Sequence, residues 1–189
     1  MRYVRTTDAS TEPVSSTELK AFLRIDHTDE DTLLTSLITA ARQMAEDYCQ
    51  RSFITQTWKA YANDFPDEIE LLHGKVISVT TIKYSVTTAL DTTLSSSSYN
   101  ASTETDVCTI FPVDSWPETD NDFPNSIEVA YTAGYGSSES DVPEVIVDVI
   151  KRIAADQYEM RTSNKDMPKM MEKTWWMYQL DPYVLRKYA

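Results

Sequence analysis

Residues 32–61, TLLTSLITAARQMAEDYCQRSFITQTWKAY, contain the change of hydrophobic period that decides the fold. Leu33, Leu34, Leu37, Ile38, Ala41, Met44, Ala45 and Tyr48 recur at helical spacing and predict a helix over about 32–50 with one apolar face. From Phe53 the pattern alternates, and Thr, Trp, Ile and Tyr favour an extended chain. A helix that gives way to strands within a few residues indicates a mixed α+β chain. Just upstream, Thr28 and Asp31 offer an N-cap, and Asp29, Glu30 and Asp31 are well placed against the helix dipole.

On the N-terminal side, Ser15 and Glu18 have capping-box spacing, and Leu19, Phe22 and Leu23 form an apolar stripe, so a first helix is expected over about 16–24. On the C-terminal side, further strands are expected at 53–61, 68–72, 76–84, 107–111 and 126–132. Their connections are short or polar. LHGK reads as a turn and TTLSSSSYNAST as a low-complexity loop, while SWPETDNDFPNS is too irregular to be expected to pack tightly. Strands so closely linked predict an antiparallel sheet rather than βαβ units. After GYGSSES the helical period returns. Asp141 is a candidate cap and Pro143 a first-turn residue, and Ile146, Val149, Ile150, Ile153 and Ala154 form a stripe widened by Val145 and Val147. That third helix is expected over 143–160.

The chain has 189 residues, 41% of them hydrophobic and 11% aromatic, enough for a real core in one domain. Thirty acids against 17 bases give a net charge of −13, which disfavours a basic footprint for nucleic acid or anionic lipid. The acidity is concentrated: no Lys or Arg occurs between Lys83 and Lys151, a stretch that holds twelve Asp and Glu. Such a block must face water or an aqueous channel. No stretch approaches the roughly 18 apolar residues of a membrane span, and MRYVRTTDAS lacks the apolar core of a signal peptide, so cytoplasmic synthesis is expected.

Catalytic chemistry finds little support. Cys49 and Cys108 lie too far apart, with two histidines in the chain, for a zinc finger or disulfide scaffold, and buried thiols are expected. His27 and His73 are the only histidines and neither accompanies a nucleophile motif, so each is expected in an exposed or capping role. Asp120 to Asp122 lack the glycine of a calcium loop, and the YTAGYG string lacks the Lys-Ser/Thr of a phosphate loop. No enzymatic activity, cofactor or metal is expected.

The ordered set PVSSTELKAFLRID, DEDTLLTSLITAARQMAEDYCQRSFITQTW, VISVTTIKY, VAYTAGYG, VPEVIVDVIKRIAADQYEMR and LDPY resembles the head–tail connector family of tailed bacteriophages, also called adaptor or head-completion proteins. The resemblance covers roughly residues 12–162, and LDPY at 180–183 extends it. It implies a small α-helical bundle, two N-terminal helices plus a C-terminal one, with an antiparallel β-region inserted at about 53–132. Residues 1–162 would then form one connector domain and 163–189 an extended docking tail. It further implies a homo-oligomeric ring, usually of about twelve copies, at the virion neck. Such a ring sits on the portal protein, extends the channel through which genomic DNA passes without specific binding, and presents a surface for the tail or stopper protein.

Two surface expectations accompany this reading. An acidic wall gives DNA phosphates no counterion-release affinity, so Glu104, Asp106, Glu118 and Asp120 are candidates for facing the channel, with the ring exterior as the alternative. The last 29 residues carry a net +3 and cluster Met and Trp. There Met170, Met171, Trp175, Trp176, Tyr178 and Tyr183 are candidates for portal docking, since aromatics anchor such contacts; an arm folded back on its own domain is the alternative. A different class, an acidic DNA mimic occupying the groove of a basic partner, would use the same charge block.

Overall fold

The computed structural model describes residues 1–87, 89–119, 124–160 and 174–185. The chain is α+β, and its described residues divide into two compact units, one of strands (1–9 and 55–134) and one of helices (10–54, 135–160 and 174–185).

The helical unit begins with α1 (Ser16–Leu23). The expected capping box is present: the Ser15 hydroxyl accepts from Glu18 N–H at 3.2 Å, and the Glu18 carboxylate accepts from Ser15 N–H at 2.9 Å. Arg24, at φ 58°, ends the helix in the left-handed region without a glycine. The long helix α2 (Asp31–Cys49) starts where its stripe predicts, but its cap differs. Glu30 occupies the N-cap position with no side-chain cap bond, and Thr28 contributes its carbonyl, which accepts from Asp31 N–H at 3.2 Å. The buried face of α2 is also wider than apolar residues alone suggest. Leu34, Ile38, Ala41, Ala45 and Cys49 are fully buried, Leu33 and Met44 are exposed, and Arg42 and Glu46 join the buried side.

Helix α3 (Glu144–Glu159) buries Ile146, Val147, Val149, Ile150, Ile153, Ala154 and Ala155. Val145 stays 44% exposed, so the stripe widens to one side only. Pro143 is its N-cap residue, and Asp141 does not cap it. Instead Asp141 closes a short 3-10 turn, accepting from Ser138 N–H at 2.9 Å and the Ser138 hydroxyl at 2.7 Å, and these bonds hold its carboxyl below its ordinary value. A Cβ on Gly136 would stand 2.2 Å from that carboxylate, so the position has no room for a side chain. The short helix α4 (Trp175–Leu180) packs on α2 and α3, and α1 packs on the same two helices.

The strand unit has two antiparallel sheets. The larger contains β1 (Arg2–Thr7), β2 (Gln56–Ala62), β4 (Val76–Tyr84), β5 (Thr92–Thr93) and β8 (Ile127–Ala133), in the order β1-β2-β8-β4-β5. The smaller contains β3 (Ile69–Leu71), β6 (Tyr99–Ser102) and β7 (Cys108–Pro112), in the order β3-β7-β6. Ala60, Val76, Ile82, Ile127, Val129, Tyr131 and Ala133 from the first sheet meet Ile69, Leu71, Cys108 and Ile110 from the second in one core. Tyr131 sits fully buried, and burial pushes its phenol well up from the ordinary value.

Four strand-level expectations need correction. The sheet begins outside 53–132: β1 pairs with β2 from Arg2↔Tyr61 to Thr7↔Thr57. Phe53 and Ile54 are not strand residues but fully buried members of the helical unit. The serine-rich stretch is partly ordered, because Ser95 caps a 3-10 turn at Ser96–Ser98 and Tyr99–Ser102 pairs with β7. The irregular stretch before β8 is anchored by Trp116, which stacks on Phe65 with centroids 4.7 Å apart and 7° between planes. Its indole N–H donates to the Asp67 carbonyl at 3.4 Å.

Candidate assembly surfaces

The acidic candidates lie on the connections of the strand unit. Glu104 and Asp106 occupy the turn between β6 and β7, Glu118 lies in the segment before β8, and all three are exposed. Asp120 lies outside the described residues. Among the described residues no cation comes within ion-pair distance of Glu104, Asp114 or Glu118. These carboxylates therefore project as uncompensated negative charge, as the absence of bases from the block implies.

Three of the strand unit's cations share the outward face of the larger sheet. Along β2, Trp58, Ala60 and Ala62 point into the core, so Thr57, Lys59 and Tyr61 take the opposite, outward face. Register places Arg2, Tyr61, Glu128, Lys83 and Thr93 in one row across all five strands. Glu128 is 9% exposed and accepts from Lys59 Nζ and Tyr61 Oη, each at 3.0 Å. The Glu128 hydrogen bond raises the Lys59 ammonium above its ordinary value. Burial first, and Glu128 second, raise the Tyr61 phenol.

The C-terminal candidates divide by exposure. Met170 and Met171 lie outside the described residues. Trp176 is 8% exposed, with its ring edge-on to Tyr48 at 5.4 Å, and Leu180 is fully buried. The following segment is tied to the end of α2: Tyr48 Oη donates to the Asp181 carboxylate, Arg51 Nε donates to the Tyr183 carbonyl, and Leu185 N–H donates to the Cys49 carbonyl at 2.8 Å. Residues 174–185 thus fold against their own helical unit. Trp175, at 40% exposure with the Arg152 guanidinium 6.0 Å from its ring, and Tyr178, at 63%, remain on the surface.

The remaining candidates for chemistry are structural. Cys49 and Cys108 are free and buried, and desolvation pushes their thiols up to about 12 and about 11. His27 is exposed in the turn between α1 and α2. His73 is neither exposed nor a cap: it stacks on Trp58 at 3.6 Å and 7° and receives the edge of Tyr3 at 5.5 Å. Its φ of 74° was not legible from composition. A surface cleft of about 480 Å³ lies in the helical unit, lined by Glu18, Glu139 and Glu144 with Ser138, Ser140, Val142 and Val147. Ser15 holds Glu18 below the ordinary carboxylate value, while desolvation and then the hydrogen bond to Glu18 raise Glu139. Lys151 approaches Glu18 at 3.8 Å. Among the described residues no group of three His, Cys, Asp or Glu is arranged to hold a metal ion, and no helix is long and apolar enough to cross a membrane.

With this arrangement in view, comparison with known proteins is informative. The family model of phage gp6-like head–tail connector proteins matches residues 17–108. That span covers nearly all of α1, then α2 and the strands β2 to the start of β7, but not β1, and it agrees with the resemblance read from the sequence. The fold is similar to a chain in the virion of a native gene transfer agent particle, with a TM-score of 0.81 and 18% identity. Chains in the neck of the empty particle computed with C6 symmetry and of the native particle computed with C12 symmetry give TM-scores of 0.79 and 0.75, also at 18% identity. Each likeness covers 100% of this chain and 98% of the other. At that identity the matches establish a shared fold. No curated protein matches the chain.

Proposed function

We propose that this protein is a structural component of the neck of a tailed particle. Copies arranged as a ring on the portal protein extend the DNA channel and present a docking surface for the tail or stopper protein. The role is one of assembly, not catalysis. The observation that carries the reading is the end-to-end likeness in fold to chains of gene transfer agent necks, together with the connector-family match over residues 17–108. The C6 and C12 symmetries of those necks support a ring. The charge balance of −13 supports a conduit that leaves DNA phosphates ungripped.

In this reading the exposed edge of α4, with Trp175 and Tyr178, is the described part of the portal-docking surface. Trp176 serves from beneath by fixing α4 to its own unit.

Particles assembled without this protein test the role. The reading expects heads that carry portal but no tail and that lose packaged DNA, with both defects repaired when the protein is supplied. Tailed, DNA-retaining particles formed in its complete absence would refute it.

A further inference from the structure

We propose that the outward face of the five-stranded sheet is the seat for the acidic loops of a second copy of this chain. The inference rests on the ring reading and deepens it by naming the two surfaces that meet.

The sheet's outward face carries three cations, Arg2, Lys59 and Lys83. Arg2 and Lys83 lie in one row, three strand spacings or about 14 Å apart, with Tyr61 and Glu128 between them. Lys59 stands beside them and bonds Glu128 at 3.0 Å. Three cations thus face one nearly buried carboxylate, which is already satisfied by Lys59 and Tyr61. Among the described residues no carboxylate pairs with Arg2 or Lys83, and the Arg2 guanidinium takes the neutral side-chain oxygen of Asn125 at 2.7 Å. The rest of the face is mostly small and polar, with Thr57, Ser78, Thr81, Ala130 and Thr132, and its one large apolar side chain by register is Val4, opposite Lys59. Such a surface offers little hydrophobic drive and selects a partner by charge.

The complementary surface is on the same chain. Glu104, Asp106, Asp114 and Glu118 are exposed on the loops of the strand unit, within a stretch of sequence devoid of Lys and Arg. Positive sheet face and negative loops are unlike patches, so their meeting is heterologous, the contact type that closes into rings when the rotation permits. A duplex DNA partner is disfavoured by the net charge of −13. Glu104 and Glu118 are hence assigned to the contact between copies rather than to the channel wall.

The test compares ring formation, alone or on the portal encoded in the same genome, by native mass and negative-stain imaging. Arg2→Glu with Lys83→Glu places carboxylates against carboxylates, and the ring population should fall by about tenfold or more. Adding Glu104→Lys with Glu118→Lys in the same chain should restore it. Circular dichroism guards against misfolding, and Arg2→Gln with Lys83→Gln provides a milder variant in which the loss should be partial. Rings from wild type and unaltered rings from both variants would overturn this inference while leaving the connector reading intact. Absence of rings in wild type would strike the connector reading itself. Rings retained by the charge-reversed variant, with loss of a short DNA duplex that wild type binds, would assign the face to phosphate and overturn the inference too.

Discussion

The guanidinium of Arg42 and the carboxylate of Glu46 meet at 2.7 Å one turn apart on α2, with 1% and 6% of their side chains exposed. Each is further committed. Arg42 Nε donates to Glu12 at 2.7 Å, and Glu46 accepts from the Phe53 N–H at 2.8 Å. The network ties the segment before α1 and the turn after α2 to the middle of the bundle. Replacing Arg42 by Ala takes its guanidinium away from a carboxylate that stays buried, which costs about 3–5 kcal/mol. Urea unfolding should show that loss for Arg42→Ala. A variant within about 1 kcal/mol of wild type would show that the pair is not the clamp described.

Stacking of Trp116 on Phe65 is one of the contacts that hold the segment before β8, beside the Thr119 hydroxyl donating to the Asp64 carboxylate at 3.1 Å. Trp116→Ala removes the stack and the bond to Asp67, and about 1–2 kcal/mol of stability should go with them. Limited proteolysis should then cut within residues 113–126 faster than in wild type. An unchanged cleavage pattern would mean that the segment is held by other contacts.

Exposure separates the two tryptophans of α4. Trp176→Ala opens a hole beside Tyr48 and should destabilise the helical unit by about 3 kcal/mol. Trp175→Ala with Tyr178→Ala should leave the melting temperature within a few degrees and reduce portal attachment. For the same reason truncation after Asn164 is a poor test of docking, because it also removes Trp176 and Leu180 from the core. Full attachment by the Trp175/Tyr178 double variant would remove the α4 edge from the portal contact.

The buried thiols make stability fall in alkali. Desolvation raises Cys49 to about 12 and Cys108 to about 11 from an ordinary 9.0, so the folded protein keeps both protonated where the unfolded chain ionises. Their contribution is complete below the unfolded value. It declines by about 1.4 kcal/mol per pH unit per thiol above it, until the folded values are reached. Tyr3, raised to about 12 by burial and then by Glu70, acts in the same sense at higher pH. Urea midpoints taken from pH 8 to 10.5 should fall less steeply in Cys49→Ala/Cys108→Ala than in wild type. Parallel curves would refute the assignment.

The parts of the molecule legible in the sequence are those in which one local signal points one way. The capping box of Ser15 and Glu18, the stripes of α2 and α3, and the strand stretches of β4 and β8 are of this kind. Arg42 and Glu46 were missed because an i,i+4 ion pair on a helix reads as a solvated face, and Glu12, which draws Arg42 inward, lies 30 positions away. Strand β1, RYVRTT, was missed because only Tyr3 faces the core, so it has no alternation to detect. The His73 stack depends on Trp58 and Tyr3 arriving from two other strands. Of the surfaces, the acidic block was visible as a run without bases. The cationic row was not, since Arg2, Lys59, Glu128 and Lys83 become neighbours only through the strand order β1-β2-β8-β4.

The most direct test of the neck role is to image the protein mixed with the portal encoded in its own genome. The account predicts a ring stacked coaxially on the portal, with a whole-number symmetric stoichiometry by native mass. No association, in salt and pH conditions where both proteins remain folded, would contradict it.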